Sequence, residues 1–264
     1  MTFDVDGAPF AWRENGSGDL VVLLHGLGGS RLSWEPQLAA LGSNYRVAAW
    51  DLPGYGASTA LAGATTFTAL AQAVTDWIDV LGAGPAHIVG ISMGAMIAQY
   101  TAALHPQSVR SLTLLATSPA FGLDGTPPEQ WRAARLAPLM AGQQPADFAE
   151  GVLRAIAGPA IEPDALAGQV SAMGRISGDA LRASTDCVVT HDARALLPNI
   201  AAPTLVLVGD RDRETPPTYA RALAEQIPHC WLHVLPGVGH LLNAEAPGEV
   251  NKAIRRHLRH TEEQ

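Results

Sequence analysis

The sequence predicts an α/β protein with a mostly parallel sheet and helices on both faces. Three observations indicate this fold class. Short apolar runs alternate along the 264 residues with segments whose apolar residues recur at helical spacing. The runs are apolar throughout rather than at every second residue, which is typical of parallel strands buried on both faces. Hydrophobic residues make up 47% of the chain and charged residues only 16%, which is enough apolar material for a large core.

The predicted sheet begins with an antiparallel hairpin at its edge and continues with six buried strands. The segment FDVDGAPFAWRE places a turn at Asp6–Gly7 between two short alternating runs, which favours the hairpin. The six apolar runs are DLVVLLHG, YRVAAWD, AHIVGIS, RSLTLLA, PTLVLVGD and CWLHVLPG. Strands that alternate with helices are joined by right-handed crossovers, so these six should run parallel. Helices are predicted between and after them at residues 34–41, 67–81, 93–104, 217–226 and 246–258.

The alternation stops between residues 118 and 192, where Ala, Gly and Pro are frequent and no strand is predicted. Helical spacing returns there at 131–140, 146–156 and 165–176. The stretch is too long for an ordinary loop. We therefore expect residues 1–117 and 193–264 to form the core, and residues 118–192 to form a helical cap inserted after the sixth strand.

Composition narrows the range of partners. The formal net charge is −8, and the short basic run RRHLRH near the C-terminus is typical of a solvated helix face, so nucleic acid is not an expected partner. The first residues lack the pattern of a signal peptide, and no apolar run approaches the ~20 residues that cross a bilayer, so a cytoplasmic protein without a membrane partner is expected.

Cys187 and Cys230 are predicted as buried, reduced thiols. Neither a metal nor a nucleotide cofactor is expected, because metal-ligand spacings and phosphate-loop patterns are missing from the sequence.

Candidate catalytic groups follow the predicted strands. In an open parallel sheet, sites gather at the carboxyl ends of the strands. Ser92 follows the strand AHIVGI, Asp210 and Asp212 follow PTLVLVG, and His240 follows the last strand. A serine, an acid and a histidine are therefore expected at one edge.

These residue types suit nucleophilic catalysis. A serine hydroxyl needs a base to take its proton, and histidine, with an unperturbed pKa near ~6.5, can do so at neutral pH. A carboxylate on the other ring nitrogen orients the imidazole. The backbone N–H groups of Leu27, in HGLGG, and Met93, after the serine, are candidates to hold the oxyanion that forms.

Several motifs stand in a characteristic order along the chain: HG, DLPGYGAS, GISMG, GDRD and the terminal GH, with a helical cap before GDRD. Together they resemble the α/β-hydrolase superfamily over nearly the whole chain. The fold implied is the α/β-hydrolase fold. Within the superfamily, the layout and SMGAMIAQ are most similar to 3-oxoadipate enol-lactonases and small-ester hydrolases. The resemblance favours Asp212 as the acid, with Asp210 as the alternative. His240 is favoured as the base over His233, His229 and His191.

The resemblance implies less about which residues bind the substrate than about which residues are catalytic. His25, Gly26, Trp131, Met140 and Leu241 are expected to contact it, although His25 more often braces the HG loop. Other cap side chains could line an apolar pocket or simply pack the cap on the core: Phe121, Leu136, Leu139 and Phe148. Arginines that could meet a substrate carboxylate, or lie on the surface, are Arg31, Arg132, Arg135 and Arg175.

Serine at the nucleophile position implies an acyl-enzyme. The expected function is therefore hydrolysis of a carboxylic ester or lactone of a small molecule by a monomer or homodimer. The same three residues could instead serve C–C bond hydrolysis of a β-diketone-like substrate, or perhydrolysis. A non-catalytic ligand receptor is a further hypothesis, which the loss of a catalytic residue would favour.

Overall fold

The computed structural model describes residues 2–7, 9–159 and 161–262. Its central feature is a sheet of eight strands in the order β1-β2-β4-β3-β5-β6-β7-β8. The strands are β1 (Phe3–Val5), β2 (Trp12–Asn15), β3 (Leu20–Leu24), β4 (Arg46–Trp50), β5 (Ala86–Ile91), β6 (Val109–Leu115), β7 (Thr204–Gly209) and β8 (Cys230–Leu235). The first two pair antiparallel at one edge, and β3 to β8 run parallel. The predicted fold class is confirmed.

Helices cover both faces of the sheet. They are α1 (Glu35–Leu41), α2 (Phe67–Leu81), α3 (Met93–Leu104), α4 (Pro128–Met140), α5 (Pro145–Ile156), α6 (Pro163–Met173), α7 (Gly178–Val188), α8 (Pro217–Ala224), α9 (Leu242–Glu245) and α10 (Pro247–Glu262). Among the described residues, no helix combines the length and apolar character needed to cross a membrane.

Successive residues of the buried strand β3 pack into two separate cores on opposite faces of the sheet. Along β3, Leu20, Val22 and Leu24 belong to the larger core, whereas Val21 and Leu23 belong to the smaller one. The larger core lies under α2, α3 and the helices that follow β6, and the smaller core lies under α1 and α10. Side chains of a strand point alternately to opposite faces, so a continuously apolar run buries both faces of the sheet.

Helix α2 shows how local sequence sets an element's ends. The Thr66 side chain accepts a hydrogen bond from the Ala69 N–H and caps the first turn, and Gly82, at φ 67°, ends the last turn in a left-handed conformation. The buried side of the helix includes Trp77, which stacks on Trp50 of β4 with ring centroids 5.5 Å apart. These contacts fix α2 against the sheet.

Four helices, α4 to α7, lie between β6 and β7. The sequence predicted only three in this segment, and the missed helix is α7. Its buried residues do recur at helical spacing, but two of them, Ser184 and Thr185, are polar, so the apolar residues alone do not trace the helix. The Ser177 side chain accepts a hydrogen bond from the Ala180 N–H and caps the first turn of this helix. We refer to residues 118–192 as the cap segment.

The two cysteines differ in burial. Both are free thiols, but Cys230 is only partly buried, whereas Cys187 is buried in α7. The expectation of two buried thiols is therefore wrong for Cys230, which begins β8, the last strand in the order of the sheet.

Candidate active site

Ser92 occupies a strained turn between β5 and α3. Its φ of 52° and ψ of −120° lie in a region that residues with a side chain rarely adopt. The turn is possible because two glycines flank it. A Cβ on Gly90 would lie 2.5 Å from the Gly94 carbonyl oxygen, and a Cβ on Gly94 would lie 2.1 Å from the Leu24 carbonyl oxygen. The tight approach of α3 to β3 and β5 therefore presents the half-buried Ser92 at the carboxyl end of the sheet.

A cavity of about 340 Å³ opens at this end of the sheet and is lined by both Ser92 and His240. Core loops form its floor, and cap helices form much of its wall. The apolar lining includes Ile91, Met96, Phe121, Trp131, Phe148, Val152, Leu153, Ile156, Met173, Leu181 and Val188. The cavity therefore offers a largely apolar surface beside the serine.

Asp212 and His240 form a buried pair. His240 Nδ1 lies 2.9 Å from Asp212 Oδ2, and because a carboxylate can only accept, the imidazole donates its Nδ1 proton. In a neutral ring the Nε2 lone pair is then free to accept a proton. Both side chains are buried, with Asp212 0% and His240 7% exposed, so the pair is largely shielded from water.

The pair shifts the pKa of each member. Burial alone would raise the pKa of Asp212, but the charge and hydrogen bond of His240, with the Thr215 hydrogen bonds, lower it overall. Burial alone would lower the pKa of His240, but Asp212 and then Glu214 raise it above its ordinary value. Asp212 is therefore ionised at neutral pH, and His240 binds a proton more readily than a free histidine.

The turn after β7 explains why Asp212, rather than Asp210, reaches the histidine. Asp212 Oδ1 accepts the N–H groups of Glu214 and Thr215 at 2.9 Å each, and its Oδ2 accepts the Thr215 hydroxyl at 2.8 Å. Asp210 instead accepts the Gly237 N–H at 2.7 Å and holds the neighbouring loop. Thr215 was missed from the sequence, although a threonine three residues after an aspartate in a turn is a recognisable signal.

The two candidate oxyanion donors lie beside Ser92. Leu27 and Met93 both line the cavity. Within the described part of the chain, neither backbone N–H donates to another protein group. Both are therefore available to an oxygen of a bound molecule.

Of the five residues expected to contact substrate, Gly26, Trp131 and Leu241 line the cavity, but His25 and Met140 do not. Both His25 nitrogens are occupied, since Nε2 accepts the Leu52 N–H at 3.0 Å and Nδ1 lies 2.9 Å from the Gly26 carbonyl oxygen. His25 therefore braces the loop. Met140 lies at the end of α4 and is 72% exposed, with its sulfur near Arg182. Helical phase turns it away from the cavity.

Of the other four apolar cap side chains named from the sequence, two line the cavity and two do not. Phe121 and Phe148 line the cavity, whereas Leu136 and Leu139 do not. Leu136 is buried and Leu139 packs against the larger core.

One of the four candidate arginines lines the cavity. Arg135 of α4 does so, with its guanidinium 5.0 Å from the centre of the Trp131 ring and bonded to Glu214. Arg31 pairs with Asp4, Asp6 and Asp51, Arg132 pairs with Asp186, and Arg175 is exposed. The sequence missed Arg213, Glu214 and Tyr219, which also line the cavity. The acidic and basic side chains at the cavity therefore come from two places: Arg213 and Glu214 from the loop that carries Asp212, and Asp124 and Arg135 from the cap segment.

A separate group of ionisable side chains lies far from Ser92 along β5. Among the described residues, Asp19, His87 and Glu262 are the group of potential metal ligands whose ligand atoms lie within 4.8 Å of one another. Asp19 already pairs with Arg110 at 2.6 Å, and His87 Nδ1 lies 2.7 Å from the Ser111 hydroxyl.

The chain is similar to known hydrolases over nearly its full length. It is 34% identical to the pimeloyl-[acyl-carrier protein] methyl ester esterase of Chromobacterium violaceum over 250 residues, which cover 92% of this chain and 95% of that protein. A thermophilic esterase from Thermogutta terrifontis, solved with malate bound, superposes with a TM-score of 0.86 at 27% identity, covering 99% of both chains.

An enol-lactonase from Burkholderia xenovorans LB400 shares the fold, with a TM-score of 0.85 at 24% identity over 97% of this chain and all of that one. A sequence profile described as "Alpha/beta hydrolase family" matches residues 21–253. That match includes nearly all of β3, the strands β4 to β8, the Ser92 turn, the cap segment and His240. The chain therefore belongs to the α/β hydrolase family.

Proposed function

We propose that this enzyme cleaves a carboxylic ester or lactone of a small molecule through an acyl-enzyme, with Ser92, His240 and Asp212 as its catalytic triad. One observation carries the proposal: Ser92 and His240 line the same cavity, and Asp212 holds the far side of the imidazole. Both relatives at 25% identity or more that are described above are esterases by name, which supports ester hydrolysis.

In the first half of the reaction, His240 Nε2 takes the Ser92 proton as the oxygen attacks the carbonyl carbon. The negative oxygen of the tetrahedral intermediate accepts hydrogen bonds from the Leu27 and Met93 N–H groups, each worth about 3–4 kcal/mol of transition-state stabilisation in comparable enzymes. His240 then returns the proton to the departing alcohol. In a lactone that alcohol stays attached to the acyl chain.

In the second half, water replaces the alcohol. His240 removes a proton from the water, which attacks the acyl-serine carbonyl, and the same N–H groups hold the second oxyanion. The carboxylic acid leaves and Ser92 regains its proton. Throughout, Asp212 stabilises the imidazolium without taking its proton.

The substrate class can be tested with a panel of initial rates. The panel contains p-nitrophenyl acetate, butyrate and octanoate, several lactones including an enol-lactone, and a β-diketone whose cleavage breaks a C–C bond. A second series adds hydrogen peroxide to detect perhydrolysis. The Ser92→Ala variant is the blank. We expect ester or lactone turnover that this variant loses, whereas cleavage of the diketone alone would favour C–C hydrolysis. A folded wild-type protein inactive on every substrate would contradict the proposal.

A further inference from the structure

The loop that carries His240 is joined to the cap segment through one side chain. Glu245 ends α9, and its carboxylate accepts three backbone N–H groups. Oε2 accepts those of Gly158 at 3.0 Å and Gly239 at 2.7 Å, and Oε1 accepts that of Leu241 at 2.9 Å. Gly239 and Leu241 are the residues on either side of His240. A carboxylate with three N–H donors forms strong, directional bonds, so it fixes the backbone at both sides of the histidine.

The cap also holds the histidine's own backbone. The His240 N–H donates to the carbonyl oxygen of Ile156, the last residue of α5, at 3.1 Å. Three consecutive backbone N–H groups, at 239, 240 and 241, are therefore held by Glu245 or by the cap. None of these bonds involves the imidazole itself.

The two backbones approach too closely for side chains. A Cβ on Gly158 would lie 2.3 Å from Glu245 Oε2 and 2.7 Å from the Gly239 nitrogen, and a Cβ on Gly239 would lie 2.2 Å from the Gly158 nitrogen. Glycine on both sides is what allows the cap and the histidine loop to meet. We call this contact between Gly158, Gly239 and Glu245 the cap–histidine junction.

We propose that Glu245 is a positioning residue for His240, and that the cap holds the catalytic base in place through the cap–histidine junction. The inference rests on the proposed role of His240 as the base. A displacement of about 1 Å in a reacting group can cost on the order of 100-fold in rate. The cap therefore contributes to the chemical step, in addition to forming the wall of the substrate cavity.

Two substitutions approach the junction from opposite sides. Glu245→Gln keeps the side-chain size but offers one carbonyl oxygen, so at least one of the three N–H groups loses its acceptor. Gly158→Ala leaves Glu245 intact but pushes it and Gly239 away. The matched control is Gly151→Ala in α5, where an added Cβ meets nothing within 4 Å.

Two measurements, the kinetic constants and the proton resonance of His240, distinguish a displaced histidine from a general loss of structure. For both junction variants we expect kcat on a short p-nitrophenyl ester to fall about 10- to 100-fold while KM changes little. We also expect the low-field proton resonance of His240 Nδ1–H to shift or broaden, although Asp212 is unchanged. The control should keep both values. All rates are measured at a temperature at which circular dichroism shows that each protein is folded. If one junction variant does not fold, the other variant tests the proposal.

Several results would overturn the proposal. One is kcat within twofold of wild type and an unchanged resonance in either folded junction variant. Another is a rise in KM alone, which would mean that the junction only shapes the cavity. If the wild type hydrolyses no ester, the proposed function fails, but the His240 resonance in Glu245→Gln still tests the positioning role.

Discussion

At the scale of single residues, opposing charges set the protonation of His240. Burial lowers the pKa of His240, and Arg135 lowers it a little further, but Asp212 and Glu214 together raise it by more, so the pKa lies above its ordinary value of 6.5. A base must be unprotonated, so activity should be present above the raised pKa and lost as pH falls through it. We predict that the acidic limb of the kcat/KM profile has its midpoint above 6.5.

Two variants should move that limb in opposite directions. Glu214→Gln removes a negative charge, so the pKa of His240 should fall and activity should persist to lower pH. Arg135→Gln removes a positive charge, so the limb should move to higher pH. Both side chains are partly exposed, so solvent screening keeps the shifts modest. If both variants shift the limb in the same direction, another group controls it.

The two aspartates after β7 should differ sharply. Asp212→Asn can no longer favour the tautomer with the proton on Nδ1, and the equivalent change in a serine protease lowers kcat by roughly 10⁴-fold. We expect a loss of that order on a p-nitrophenyl ester. Asp210→Asn keeps an oxygen that can accept the Gly237 N–H and loses only the charge that faces Arg211, so its activity should stay within a few-fold of wild type. A severe loss of activity in Asp210→Asn with only a mild loss in Asp212→Asn would show that Asp212 is not the catalytic acid.

The sequence predicted those site residues that directly follow the strands of the sheet. Ser92, Asp212 and His240 were expected together because parallel strands bring their carboxyl ends to one edge. Glu245 and Gly158 were not found. Their contact joins positions 87 residues apart, and no local pattern indicates which backbone N–H groups a glutamate will meet.

At the scale of elements, the Ser92 turn depends on how closely α3 approaches β3. Gly94→Ala would place a Cβ 2.1 Å from the Leu24 carbonyl oxygen, and backbone cannot move aside cheaply. We predict a destabilisation of about 1–3 kcal/mol or more, measured as the free energy of unfolding in urea. Gly248→Ala in α10, where a Cβ meets nothing within 4 Å, should be neutral or stabilising by up to about 1 kcal/mol. Equal stability of the two variants would contradict this account of the turn.

Elements with one dominant signal were predicted well. The apolar runs became β3 to β8, and helices 67–81 and 93–104 were predicted with the bounds that the structure has. Helix α7 was missed because part of its buried face is polar, at Ser184 and Thr185, so the apolar residues alone do not show the helical pattern. The four-residue α9 was also missed, since a single turn has no periodicity to detect.

At the scale of the whole molecule, cap and core enclose the cavity together. Val152 of α5 lines it, whereas Met140 of α4 is exposed outside it. Val152→Trp should fill the space for a long acyl chain, and we predict that kcat/KM falls at least about 10-fold more for p-nitrophenyl octanoate than for the acetate. Met140→Trp should leave the ratio unchanged. An equal loss on both esters in Val152→Trp would mean that the acyl chain lies elsewhere.

The sequence predicted the cap segment but not which of its side chains face the cavity. Met140 and Trp131 lie on the same helix, and both were plausible contacts. Which face of α4 meets the core depends on packing with α7 and the Arg135–Glu214 ion pair, neither of which has a sequence signature. Specificity therefore follows from tertiary contacts that only the structure provides.

The central claim, that Ser92 is the nucleophile, is tested most directly by covalent labelling. Diethyl p-nitrophenyl phosphate reacts with an activated serine, whose oxygen bonds to phosphorus while p-nitrophenolate leaves. Mass spectrometry should show one diethylphosphoryl group on the peptide that contains Ser92, with hydrolase activity lost in proportion, and Ser92→Ala should neither be labelled there nor hydrolyse esters. Ester turnover that survives in Ser92→Ala, or inactivation with the label on another residue, would contradict the claim.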